Sequence, residues 1–138
     1  MELGHWVLNE GIQWYDSVFG FIYEITNKTT GKFYIGKKQC SRRIKRKPLK
    51  GKNRNRIEHI ESDWKSYSGS CNDLQEDIKK YGKENFSYSI LKLCNSKWEL
   101  SYFEAKEQIV RDVLLSDASY NGILNLRIGK APKSFLNK

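Results

Sequence analysis

The chain has 138 residues, with 25 Lys and Arg against 16 Asp and Glu, a formal charge of +9. A single domain of that size buries roughly two-thirds of its unfolded surface, so its core needs neither disulfide nor metal. No run approaches the roughly 18 apolar residues of a membrane span, and the first twenty residues, broken by Glu2, His5, Glu10 and Asp16, hold no signal-peptide core.

Residues 1–18 read as an N-terminal extension. Residues 21–26, Phe-Ile-Tyr-Glu-Ile-Thr, are β-branched and aromatic and predict a strand. Asn27 to Gly31 is turn chemistry and Phe33 to Gly36 the return strand, so 21–36 is expected as a hairpin with a five-residue loop. A short helix is expected over about 41–47, stopped by Pro48. Asn72 suits the cap of a helix over 73–81 that Gly82 ends. Residues 86–93 alternate as a third strand. Ser96 and Glu99 have capping-box spacing and open a helix to about residue 115, along which Leu100, Phe103, Glu107, Val110 and Leu114 form one stripe. A short last strand is expected in 123–126, and 127–138 as a tail. The order predicts an α+β domain on a small sheet of about three strands flanked by helices.

The charge is local. Residues 37–56 contain eleven basic side chains and no Asp or Glu, and removing them leaves 14 basic against 16 acidic residues. Such a run is either a solvated arm or a phosphate-binding surface. Its acid-free composition, inside a chain otherwise slightly acidic, favours nucleic acid; it lacks the apolar face of a membrane-surface helix. Cys40, Cys71 and Cys94 form no C-x-x-C pair and His5 stands far from His59, which disfavours zinc and predicts three reduced thiols in the cytoplasm.

Two features suggest chemistry. Glu107 interrupts an otherwise apolar stripe, and a carboxylate there must be solvated, paired or bound to a cation. Tyr23 and Tyr34 lie on adjacent strands of one hairpin, followed by the arginine-rich segment. A carboxylate for a metal, a guanidinium for developing charge and a phenol near a nucleophile suit phosphodiester cleavage.

Phe21-Ile22-Tyr23, ten residues, then Tyr34-Ile35-Gly36 resembles the two-part signature of the GIY-YIG nucleases. Lys80-Tyr81-Gly82-Lys83-Glu84-Asn85-Phe86, Ser89-Ile90-Leu91, the acidic helix and Tyr120-Asn121 follow in that family's order, over residues 19–126. With Tyr-Ile-Gly-Lys-Lys, the basic loop and Ser62 to Lys65, the chain is most similar to the phage-encoded Seg-type homing endonucleases. One departure is Phe21 where the first motif has glycine; Gly20 stands one place earlier, and altered strand packing is expected. The resemblance implies a magnesium-dependent endonuclease, with manganese able to substitute, acting on double-stranded DNA and able to work as a homodimer there. It implies that Tyr23 and Tyr34 line the site, one assisting the attacking water. Arg43, with Arg42 and Arg46 as alternatives, would stabilise phosphate charge. Glu107, with Glu104 as the alternative, would hold the metal; Asn121 would pack beside the site or hydrogen-bond within it, and Lys37 would contact the scissile phosphate. Lys38, Arg42, Lys45, Arg46, Lys47, Lys50, Lys52, Arg54 and Arg56 are expected on the DNA-binding surface. About 12 residues follow Leu126, so recognition is expected from the basic segment, the first 18 residues or dimerisation. A binding module that has lost cleavage, and a repair or restriction nuclease, are the competing readings.

Overall fold

A computed structural model describes residues 2–137 apart from Asn125. Strands β1 (Val7–Leu8), β6 (Phe86–Cys94), β2 (Gly20–Asn27) and β3 (Phe33–Gln39) form one sheet in that spatial order. β2 is antiparallel to both neighbours and β1 is parallel to β6, so the sheet is mixed, with one strand more than expected. The hairpin is as predicted, with a loop over 28–32. Buried Asn27 holds that loop: its Oδ1 accepts from the amides of Thr29 (3.0 Å) and Thr30 (3.3 Å), an Asx turn.

β2 is covered on both faces. Phe21, Tyr23 and Ile25 point into an aromatic core with Trp6, Trp64, Leu74 and Tyr88. Ile22 points oppositely, into a second cluster with Ile35, Leu100 and Val113. Trp6, 3 % exposed, packs 5.0 Å from the Tyr23 ring and 5.1 Å from Phe21. Burying such a side chain contributes about 1.5–3 kcal/mol, so the first residues join the same core and do not form a separate extension. Phe21 fills that core against Trp6, Trp14 and Trp64. Glycine is needed one place earlier: a Cβ on Gly20 would lie 2.5 Å from the Lys38 carbonyl.

Helix α1 (Asn72–Tyr81) stops at Gly82, whose φ is 92°. Cys71, not Asn72, occupies its cap position and makes no side-chain cap bond. Helix α2 (Lys97–Val110) starts as the spacing predicts, with Ser96 Oγ accepting from the Glu99 amide at 3.2 Å. It ends five residues early, and Asp112 turns the chain with φ 51°. The expected last strand is not formed: Ile123, Leu124 and Leu126 are irregular and Asn125 lies outside the described residues. The edge of β3 is bordered instead by 118–120, through Phe33 N to Ala118 O and Tyr120 N to Phe33 O. A four-residue helix, α3 (Lys133–Leu136), sets Phe135 against Trp98.

The expected helix over 41–47 is a strand. β4 (Ser41–Arg46) pairs antiparallel with β5 (Arg56–Glu61) as a separate two-stranded ribbon. Its pairing partner begins ten residues beyond its last residue, outside any local window. No helix among the described residues is long and apolar enough to cross a membrane.

Candidate active site

The outer edge of β3 separates two faces of the sheet, and a cleft of about 640 Å³ wraps around that edge. From one face come Tyr23 and Tyr34, since pairing Tyr23 with Gly36 and Ile25 with Tyr34 puts both rings on the same side. The ring centroids are 6.1 Å apart. A register shift beside Tyr23, where Ile22 pairs with Lys92 but Tyr23 with Ile90, is a bulge that re-aims the strand at this point. Lys37 belongs to the opposite face and meets α2, its Nζ donating to Ser101 Oγ at 3.2 Å and lying 4.0 Å from Glu104 Oε1. Both faces supply the site.

The tyrosines sit on glycines. A Cβ at Gly36 would fall 2.5 Å from Tyr23 Oη, so the motif glycine makes room for the opposite phenol. Gly69, at φ 89°, approaches from the other side, its virtual Cβ 3.6 Å from the same oxygen. Tyr23 is 1 % exposed, and burial holds its phenol well above the usual range, with Tyr34, Tyr67 and Glu104 pushing the same way. Burial raises Tyr34 too, against a hydrogen bond with Ser70 that lowers it, and Glu104 again raises it. Both phenols are therefore protonated at neutral pH, and the Glu104 charge opposes ionisation. Glu104 is itself raised by burial, with Lys37 pulling it back.

Asn121 closes the β3 edge. Its Oδ1 accepts from Ile35 N at 3.0 Å and its Nδ2 donates to Ile35 O at 2.8 Å, while Gln108 Nε2 donates to the same carbonyl at 3.0 Å. The backbone between Tyr34 and Gly36 is thus satisfied by side chains where a strand would otherwise pair.

The structure separates Glu107 from this cleft. Glu107 borders a different depression with Leu91, Lys92 and Phe103, and its Oε1 accepts from Arg111 Nε at 3.1 Å. Arg111 in turn meets Glu24 at 2.8 Å, a staple from helix end to β2. The stripe that pointed to Glu107 is buried only at its start, at Leu100, and leaves the packed face toward its end, where Val110 is 68 % and Leu114 50 % exposed. Leu100, Glu104 and Gln108, at steps of four, face the β3 edge. Polar groups are wanted there to satisfy strand backbone, and this hid the face from a hydrophobic pattern.

No arginine lines the cleft among the described residues. Arg42, Arg43 and Arg46 are exposed on β4, not on a helix, and Arg46 pairs with Glu58 at 3.1 Å. Lys38 is held by Asp63 at 2.7 Å and lies over the Tyr67 ring at 4.0 Å. Lys45, Lys47, Lys50, Lys52, Arg54 and Arg56 are exposed on the ribbon and its tip. Tyr67, Ser70, Ser101 and Gln108 were not legible as site residues. The signal for the first two is the Ser-Gly-Ser turn just before α1, which folds Gly69 onto the tyrosines.

Residues 6–126 match the family profile described as "Putative endonuclease segE, GIY-YIG domain". The chain is 33 % identical over 104 residues to "Putative endonuclease segE" of Enterobacteria phage T4, covering 75 % of this chain and 40 % of that protein. It is 31 % identical over 119 residues to "Putative endonuclease segC" of the same phage, covering 86 % of this chain and 48 % of the relative. The chain thus spans less than half the length of these curated relatives. No solved structure gives a significant match. The matched span takes in Trp6, both tyrosine motifs, Glu104 and Asn121, and the chain belongs to the SegE-type GIY-YIG domain family.

Proposed function

We propose that the chain is a divalent-metal-dependent endonuclease that hydrolyses phosphodiester bonds of double-stranded DNA, a phage enzyme of homing type. The carrying observation is the meeting of Tyr34, Lys37 and Glu104 at one strand edge, from two faces of the sheet, in a cleft open to water. The donor set fits magnesium: one half-buried carboxylate, Glu104, in an open cleft would leave most of the coordination shell to water, as that ion prefers. Manganese fits the same oxygen donor. When bound, such an ion supplies a more acidic water and a polarised phosphoryl oxygen.

The chain's own residues do the rest. Lys37 binds a non-bridging phosphate oxygen and takes the electrostatic task expected of Arg43. Tyr34, protonated, orients the attacking water through its hydroxyl. Tyr23 lies beneath it, packed against Gly36, and fixes the Tyr34 ring. Asn121 and Gln108 hold β3 so that Tyr34 and Lys37 keep their spacing. One cleft cuts one strand, so double-strand breaks require a second chain on the DNA or a second event. Phe21 shares the aromatic core with Tyr23 but does not line the cleft, so the altered motif gives no support to a module without cleavage.

Supercoiled plasmid, incubated with magnesium or with EDTA, tests the reading. Wild type and Glu107→Gln should relax it only with magnesium, and Glu104→Gln should be slower by at least about 10²-fold, the scale of losing one transition-state contact. Activity lost in Glu107→Gln and kept in Glu104→Gln would refute it.

A further inference from the structure

The β4–β5 ribbon has no part in the cleft, yet it is built with care. Its root is pinned to the catalytic sheet: Cys40 N donates to Phe19 O at 2.9 Å, Ser62 N to Cys40 O at 2.9 Å and Ser62 Oγ to Gln39 O at 2.6 Å. Trp64 Nε1 adds a bond to Glu61 Oε1 at 3.0 Å. Directly opposed residues of an antiparallel pair share a face. Arg42 with Ile60, Ile44 with Glu58 and Arg46 with Arg56 make one face. Ile44, Glu58 and Ile60 are half-buried there, and the Arg46–Glu58 ion pair lies on it. Ser41 with Glu61 at the root, then Arg43 with His59 and Lys45 with Ile57, make the other. Arg43, His59, Lys45 and Ile57 are exposed there, Ile57 by 51 %.

We propose that this second face lies in the major groove of duplex DNA and reads base edges, while the lysines and arginine of the ribbon tip hold the flanking phosphates. This rests on the endonuclease reading for its partner. A two-stranded β-ribbon fits the major groove of B-DNA. The chemistry of the face is that of base readout: a guanidinium and an ammonium for guanine acceptors, an imidazole for either sign, and an aliphatic group for a thymine methyl. The charge is complementary: segment 37–56 carries no acid, and of the two carboxylates of β5, Glu58 pairs with Arg46 on the opposite face while Glu61, at the root, is held by Trp64 and lies beside Lys65. Arg43 follows Lys37 by six residues, at most roughly 20 Å of extended chain or about six base pairs. The pinned root fixes that offset, so the contacted bases lie within about one helical turn (~34 Å) of the cut.

The test is selection of the full chain, in EDTA, on a pool of duplexes carrying a randomised segment, with single strands of the same pool as competitor. Wild type should enrich a short motif and prefer duplex. Ile57→Ala/His59→Ala should lose the motif and keep affinity for unselected duplex within about threefold. Lys50→Ala/Lys52→Ala/Arg54→Ala should weaken binding to every sequence and lower the slope of log affinity against log salt by up to about three. Added magnesium should then place wild-type cuts within about ten base pairs of the motif. No motif from wild type, a motif unchanged in Ile57→Ala/His59→Ala, or a preference for single strands would overturn the proposal. A motif enriched by a protein that never cuts would sink the endonuclease reading and leave this one standing.

Discussion

Gly36→Ala should cripple this protein although its backbone is ordinary there. Gly36 is not among the glycines with positive φ, so alanine brings no conformational penalty. What forbids it is contact: the added Cβ would lie 2.5 Å from Tyr23 Oη, 2.6 Å from Tyr23 Cζ and 3.0 Å from Tyr34 Cε2. Carbon contacts settle near 3.5–4.0 Å, so the Tyr23 ring must retreat by about 1 Å. It has nowhere to go, being 1 % exposed with Trp6 at 5.0 Å and Tyr67 at 6.2 Å between ring centroids. Overpacking of this kind costs about 1–3 kcal/mol. A loss of about 2 kcal/mol lowers the urea midpoint by roughly 1 M at an m-value near 2 kcal/mol/M. Displacing the phenols by about 1 Å should also slow plasmid cleavage on the order of 10²-fold. Urea unfolding followed by tryptophan fluorescence reads the first and plasmid relaxation the second. Gly129→Ala is the control, with nothing within 4 Å of its virtual Cβ, and should stay within about 0.5 kcal/mol of wild type. Gly36→Ala behaving like that control would refute the reasoning. In a Tyr23→Phe background the damage should shrink only in part, because Cζ remains at 2.6 Å.

Asn121→Ala orphans the Ile35 amide while Gln108 still serves the carbonyl; a loss of about 1–3 kcal/mol in urea unfolding is expected, and none would make the contact incidental. His5 is held below its ordinary 6.5 by burial, against the Tyr67 carbonyl bond and with Lys83 nearby. The unfolded chain therefore protonates first, so His5 supports stability above about pH 6.5 and withdraws it on acidification. His5→Phe keeps a ring on Tyr88, now stacked at 3.8 Å, and should flatten the fall in Tm between pH 7 and 5; an unchanged slope would place the titration elsewhere. Burial, with Glu61 nearby and Lys38 opposing, raises the Cys40 thiol to about 12. Its thiolate fraction at pH 8 is then about 10⁻⁴, so mass spectrometry should find it almost unlabelled by iodoacetamide until the protein is denatured, and rapid native labelling would contradict its burial.

What the sequence determined by itself was local. The β2–β3 hairpin was legible because alternating Phe-Ile-Tyr and a turn opened by Asn27 carry their energy between near neighbours. The same holds for the Gly82 stop of α1 and the Ser96 cap of α2. The tyrosine pair followed from the hairpin, because its register alone puts both rings on one face. Only the tertiary structure decided the rest. Residues 41–46 suit a helix by propensity and become a strand because 56–61 pairs with them. Trp6 reads as part of an extension until β1 adds beside β6 and the ring enters the core. Glu104 and Glu107 differ by less than one helical turn, and which of them faces the cleft is set by the rotation of α2 on the sheet. That rotation is set by Leu100 in the second core cluster and by Gln108 reaching the Ile35 carbonyl. Those energies join residues 65 or more apart along the chain, and no pattern within one helix contains them.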